Sequence, residues 1–238
     1  MEKTNYGIDA PKVIRNLIII GFITGLLTII FPIIKIGELE INISGFFWTG
    51  ISLVLVGILM IIYSKYGKFK HRDRILKMID WNGKENVLDV GTGLGLLMIG
   101  AAKKLTSGKS FGIDIFNTYD LSNNSIEQTK TNAQLENVTQ KVEILKENIL
   151  KTTFQDEYFD VVLSNLCLHN LYKKEDRRIA CSEIHRITKP KGQIIISDYK
   201  NIKEYKRTFI NLGMEVQKEG PYFFDTFPPL TIIKAKKT

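Results

Sequence analysis

Two stretches of this chain carry no charged residue, 16–34 and 41–64. Neither shows the polar stripe that a helix on the surface of a soluble protein keeps. As helices they would be about 28 Å and about 36 Å long, enough to cross the hydrocarbon core of a bilayer. Leu, Ile and Phe fill 13 positions of the first run, a composition that favours insertion, while Gly21, Thr24, Gly25, Thr28 and Pro32 offset part of it. The pattern predicts a two-helix transmembrane hairpin with spans at 16–34 and 43–64. Beyond residue 70 the pattern changes, and short apolar runs of strand length alternate with helical periodicity and short loops. That alternation predicts a doubly wound, parallel α/β sheet. Strands are expected at 86–90, 110–115, 141–145, 160–163, 193–197, 215–218 and 231–236, and helices at 74–79, 96–104, 125–135, 177–187 and 205–212. The chain thus divides into an N-terminal segment, 1–66, and an α/β domain, 67–238.

Two other readings of the apolar runs are a pair of buried core helices and a cleaved signal peptide. The first needs a polar face that neither run has. The second lacks a small-x-small cleavage site, and another apolar run follows almost at once. Lys3, Lys12 and Arg15 precede the hairpin, and Lys65, Lys68, Lys70, Arg72 and Arg74 follow it. The connection holds only Lys35 against Glu38 and Glu40. Positive-inside logic therefore places both ends in the cytoplasm and the connection outside, with the protein in the cell membrane. Trp48, Tyr63 and Tyr66 fall where interfacial anchors are expected. Gly21-x-x-x-Gly25 would let the two helices approach closely, although such a spacing also arises by chance.

Charge sharpens this division. The net charge is +8, yet residues 1–64 hold four basic and four acidic side chains, so the remaining 29 basic and 21 acidic residues supply all of it. A basic domain tethered beside an anionic leaflet is held down by that field. Nucleic acid is the rival explanation, but no Arg/Lys stripe interleaved with aromatics and no known binding motif accompany the charge, so no nucleic-acid partner is expected. Cys167 and Cys181 lack CxxC or His spacing and read as reduced packing residues, so no metal is expected.

The segment from Val87 to Gly95, VLDVGTGLG, carries the most chemistry. A buried strand runs into a turn almost free of side chains and then into a helix. Such a turn lets a ligand lie against the backbone, with the helix N-terminus facing an anionic group. The dinucleotide fingerprint would need glycine at 96, where this chain has Leu96. Asp114, at the tip of the second strand, is placed to accept both hydrogen bonds of a ribose diol, or else caps its loop. His169 is the only histidine near the carboxyl ends of the strands. It would either deprotonate a hydroxyl or amine, or bond a backbone carbonyl in the loop after the fourth strand. Asp198 and Tyr199, ending the fifth strand, are substrate-side candidates, with loop capping the alternative for Asp198. His71, in a basic linker, and His185, on the exposed side of its helix, read as structural. Phe223, Phe224, Phe227, Pro228 and Pro229 would either roof an acceptor pocket or pack a sheet edge.

The acid-x-G-x-G-x-G pattern from Asp89 to Gly95, together with Asp114, FDVVLSN at 159–165 and KPKG at 189–192, resembles the class I S-adenosylmethionine-dependent methyltransferases. The resemblance covers roughly 70–238. The long link Asn117–Asn124 looks like that of a membrane-anchored prokaryotic subgroup. The resemblance implies a seven-stranded, Rossmann-like sheet with its last strand antiparallel, and S-adenosylmethionine as cofactor. It implies that Gly91, Thr92, Gly93 and Gly95 admit the methionine end and that Asp89 orients its ammonium. Asp114 and Ile115 would serve the ribose side and Asn148 and Ile149 the adenine, while Asn165 or Leu166 would line the floor near the sulfonium. Asn148 stands where the family usually has an acid. The expected function is in-line methyl transfer by a membrane-tethered enzyme to a lipid, quinone-like or small-molecule acceptor. Alternatives are a nicotinamide-dependent oxidoreductase, for which no Tyr-x-x-x-Lys pair is evident near strand five, and a non-catalytic cofactor-binding relic.

Overall fold

The computed structural model describes residues 3–238. Helix α1 (Pro11–Ile30) opens with a proline in its first turn, where a missing N–H costs no helical bond. It ends before Pro32, because the residue preceding a proline is pushed out of the helical region; Phe31 sits at φ −126°. The helix thus begins and ends earlier than the uncharged run. The rest of that run forms β1 (Ile33–Ile36), paired antiparallel with β2 (Leu39–Asn42), so the connection is a β-hairpin. Helix α2 (Phe46–Ile62) continues through a π-helical turn at 63–67 into α3 (Lys68–Lys77). The segment expected as a basic linker is therefore helical, with Lys68 and His71 buried.

Helices α1 and α2 approach closely through glycines: a Cβ on Gly50 would meet the Gly21 carbonyl oxygen at 2.7 Å and the Gly25 nitrogen at 2.8 Å. Both are long and apolar enough to cross a bilayer, α2 together with its continuation. Their large side chains, Phe22, Ile29, Trp48 and Leu55 among them, are exposed.

The α/β part is a seven-stranded sheet. Its strands are β3 (Asn86–Val90), β4 (Lys109–Asp114), β5 (Val142–Lys146), β6 (Phe159–Asn165), β7 (Thr188–Asp198), β8 (Glu215–Tyr222) and β9 (Leu230–Lys236). They lie in the order β5-β4-β3-β6-β7-β9-β8. Neighbours from β5 to β7 are parallel, and β9 inserts antiparallel between β7 and β8. The antiparallel last strand is the arrangement expected from the resemblance. Strand side chains alternate between two covering layers. Leu88, Val162 and Ile194 pack with α6 (Lys174–Ile187) and α7 (Ile202–Asn211). Val87, Leu163 and Ile195 pack with α3 and α4 (Leu96–Ala102). Helix α5 (Ile126–Leu135) joins a third cluster through Ala133, which also takes in Tyr6 from the N-terminal segment.

The KPKG turn is not a loop before β7 but lies inside it. Thr188 pairs with Phe159 and Gln193 with Val161, so the register slips across residues 189–192, and Lys191 adopts φ 65°. The order in which strands are added reverses at β3, with β4 on one side and β6 on the other. In open α/β sheets the crevice at the carboxyl ends beside such a reversal is where ligands bind.

Candidate functional site

Strand β3 delivers Asp89 and the glycine turn to this crevice. Asp89 is buried, and its Oδ2 accepts from the Thr92 hydroxyl (2.9 Å) and the Met98 backbone N–H (3.0 Å). Met98 lies in the first turn of α4, so one of the helix's unpartnered donors is filled by the chain's own carboxylate. Burial pushes the Asp89 carboxyl up to about 7, against the pull of its two donors. Gly91 and Gly93 both have positive φ, 73° and 53°. A Cβ on Gly91 would strike Cys167, and one on Gly93 would meet Leu121 at 2.8 Å. Only glycine leaves that floor open. Gly95, also left-handed at φ 85°, instead starts α4 behind the turn and does not line the cleft.

Asp114, ending β4, reaches back to this turn. Its oxygens accept from the Gly93 N–H (2.9 Å) and the Phe116 N–H (2.6 Å), holding the acid at the mouth of the cleft beside Ile115. The long link that follows receives a segment far away in sequence. Ala10 N–H donates to the Asp120 carbonyl (2.8 Å), and Ser122 N–H to the Ile8 carbonyl (3.1 Å). This strap, residues 4–10, is pinned from below by Lys68. The buried ammonium donates to the carbonyls of Tyr6 (2.6 Å) and Gly7 (2.7 Å) and lies 3.5 Å from the Asp9 carboxylate. Asp9 also accepts from Ser64 Oγ at 2.9 Å. Tyr6, Asp9, Tyr63 and Lys68 all line the cleft, so both ends of the helical hairpin contribute to its wall. Sequence reasoning missed these four; the unusual length of the 117–124 link was the one trace of the strap.

The far wall comes from β5 and β6. Asn148, Ile149, Asn165 and Leu166 line the cleft as expected. Asn148 Oδ1 already accepts from the Leu150 N–H (3.0 Å), leaving one lone pair for a ligand amine. Cys167 is a wall residue as well, and burial pushes its thiol well above the ordinary range. His169, Asp198 and Tyr199 come together, but beside the cleft and not in its lining. The His169 backbone N–H donates to Asp198 Oδ2 (3.1 Å), and the ring Nδ1 lies 2.9 Å from Oδ1 without a hydrogen-bond partner. The Tyr199 ring packs edge-on to the imidazole at 4.8 Å. His71 is buried in α3, 2.6 Å from the Ser197 hydroxyl and 2.9 Å from Arg74 Nη1. None of the Phe223–Pro229 cluster lines the cleft.

Residues 88–196 match the family model described as a methyltransferase domain. The sheet that holds them has the fold of the class I methyltransferases. The cleft fits S-adenosylmethionine: a side-chain-free floor, a buried acid in that floor and a second acid at the end of β4. Among curated proteins the chain is similar to the release factor glutamine methyltransferase of Flavobacterium psychrophilum, 32% identical across 63% of this chain and 52% of the relative. It is also similar to the ribosomal protein L11 methyltransferase of Dictyoglomus thermophilum, 38% identical across 47% of this chain and 32% of the relative. The chain thus spans about half or less of these two relatives. In fold, the methyltransferase domain resembles a SAM-dependent methyltransferase from Aquifex aeolicus, with TM-score 0.56, 19% identity, and 70% and 89% of the two chains covered. It also resembles the [4+2]-cyclase SpnF, with TM-score 0.57, 15% identity, and 71% and 80% covered.

Proposed function

We propose that this protein is a membrane-tethered methyltransferase that moves the methyl group of S-adenosylmethionine to a lipid, quinone-like or small-molecule acceptor at the cytoplasmic face of the bilayer. The observation that carries the reading is the composition of one cleft. Asp89, the glycine floor and Asp114 meet there with residues from both ends of the apolar hairpin. Only 17% of the apolar window of each long helix is buried, which argues against a soluble core pair. Residues 1–66 would then be the anchor and 67–238 the enzyme.

When bound, the cofactor supplies an electrophilic methyl group on a sulfonium. Asp114 would hold the ribose hydroxyls with Ile115 beside them, Ile149 would enclose the adenine, and Asn148 would accept from its amine. Asp89 attracts the ammonium, and Asn165 and Leu166 form the floor near the sulfur. The chain's contribution is alignment and exclusion of water, since the acceptor's lone pair must approach the methyl carbon opposite sulfur. An acceptor that arrives protonated would need a base, and Asp120, a carboxylate of the cleft lining, is the candidate. His169, Asp198 and Tyr199 act as positioning residues that tie the loop after β6 to the end of β7.

The test uses the full chain in nanodiscs. Calorimetry should show binding of S-adenosylmethionine and S-adenosylhomocysteine, and labelled methyl should enter one fraction of membranes, whether lipid, protein or small molecule. Binding of NADH with none of S-adenosylmethionine would overturn the assignment. Cofactor binding without release of S-adenosylhomocysteine in membrane extracts would mark a relic.

Cofactor affinity should also depend on pH through Asp89, because only the carboxylate attracts an ammonium. Its folded value, about 7, lies above the ordinary 3.8, so the folded chain keeps a proton that binding must expel. Affinity is expected to fall about tenfold per pH unit below about 7 and to level off above it. The same shift makes burial of Asp89 free of cost below about pH 4 and destabilising as pH rises towards 7. Calorimetry at pH 6, 7 and 8 checks the slope, and Asp89→Asn should flatten it.

A further inference from the structure

We propose that the β8–β9 turn is a second membrane contact, in which Phe223 and Phe224 insert into the headgroup region of the same leaflet that the hairpin leaves. The inference rests on the reading of the hairpin as membrane-spanning. The turn is built inside out for a loop in water. Phe224 is fully exposed and Phe223 is 65% exposed, whereas Asp225 is half-buried and Thr226 is 2% exposed. Its polar groups are spent on holding the turn in place. The Thr226 hydroxyl bonds the Tyr222 carbonyl and accepts from the Leu230 N–H at 3.0 Å. The Asp225 carboxylate pairs with the Arg74 guanidinium, which lies over the Tyr222 ring at 4.0 Å. Two aromatic rings are thus presented to the outside by a braced turn.

What covers them follows from where the turn is fixed. A Cβ on Gly67 would strike the Asp225 carbonyl oxygen, so the turn lies against the π-helical exit of α2. Gly67 stands five residues past Ile62, where α2 ends, which is about 7.5 Å along a helix axis. Phe223 lies two residues from Asp225, a reach of up to about 7 Å in extended chain. Apolar faces of interfacial segments sink about 5–10 Å into the boundary between headgroups and acyl chains. The rings are therefore within reach of the surface that the hairpin itself defines. Exposed Tyr66, Lys65 and Lys70 stand at the same exit, an aromatic and two cations suited to an anionic headgroup layer. With the hairpin as one attachment and this turn as another, the domain would be held in a fixed orientation, with the cleft wall at Tyr63 and Lys68 next to the bilayer.

Nitroxide labels on the full chain in nanodiscs containing phosphatidylglycerol test this. Labels are placed by Phe224→Cys, by Leu55→Cys within α2, and by Lys130→Cys on an exposed face of α5, with the unsubstituted chain as control for Cys167 and Cys181. Relaxation by oxygen over a nickel chelate should be several-fold greater at positions 55 and 224 than at 130. A lipid-like signal at 55 with a water-like signal at 224 would overturn the second contact and leave the tether intact. Shielding of 224 from both reagents would mean that a second protein copy covers the rings, which also overturns it. A water-like signal at 55 would show that the tether reading itself has failed.

Discussion

Asp114→Ala is expected to weaken S-adenosylmethionine binding by at least about 100-fold. A hydrogen bond to a charged group contributes about 1.5–3 kcal/mol, and the ribose diol would make two to this carboxylate. The same substitution strips the acceptor from the Gly93 and Phe116 N–H groups, which Asp114 holds at 2.9 Å and 2.6 Å. Loosening of the turn therefore adds to the loss. Asp114→Asn separates the two contributions, because it keeps one carbonyl oxygen for a single N–H or hydroxyl and should lose distinctly less. Calorimetry, with the unfolding midpoint measured alongside, reads both variants. A change of less than about threefold in the alanine variant would mean that the ribose is held elsewhere, since two bonds to a charged group contribute at least about 3 kcal/mol.

How far such a site can be read from sequence depends on where its energy is local. Strands β3 and β6 are legible because short apolar runs buried on both faces leave little else for those segments to be. The glycine turn is legible because only glycine tolerates its backbone and its near contact with Cys167. Asp114 follows from its distance along the chain. Helix α3 is not legible, because Lys-Phe-Lys-His-Arg-Asp-Arg reads as a solvated run. Lys68 and His71 become interior residues only through partners at Tyr6, Gly7 and Ser197, up to 126 positions away. The KPKG segment misleads for a related reason: its turn-forming residues are absorbed as a register slip inside β7, held by Phe159 on one side and Val161 on the other. The cleft's N-terminal wall had no local signature at all. Residues 4–10 carry no motif, and they acquire a role only when the 117–124 link and Lys68 hold them over the glycine turn. The placement of His169, Asp198 and Tyr199 in one cluster was foreseeable from strand ends, but their standing beside the cleft was not.

That dependence makes Lys68→Met the variant with the next largest expected effect. The lysine is 4% exposed and spends its ammonium on two backbone carbonyls of the strap, with the Asp9 carboxylate alongside. Methionine keeps much of the volume and removes every donor. The two carbonyls would then be left without their donor, a situation costing about 1–3 kcal/mol per unpartnered group, while Asp9 keeps its bond from Ser64 Oγ. The strap escapes that cost by lifting away, which leaves α1, α2 and the sheet intact and takes Tyr6 and Asp9 out of the cleft wall. Cofactor affinity should fall about 10- to 100-fold, if the lost closure transmits about 1.4–2.8 kcal/mol to binding. Limited proteolysis should cut within residues 4–10 of the variant and spare them in the parent, with added S-adenosylmethionine slowing the cut. Should the strap be cleaved while affinity stays unchanged, the N-terminal wall would be a bystander, and the hairpin would anchor the enzyme without shaping its site.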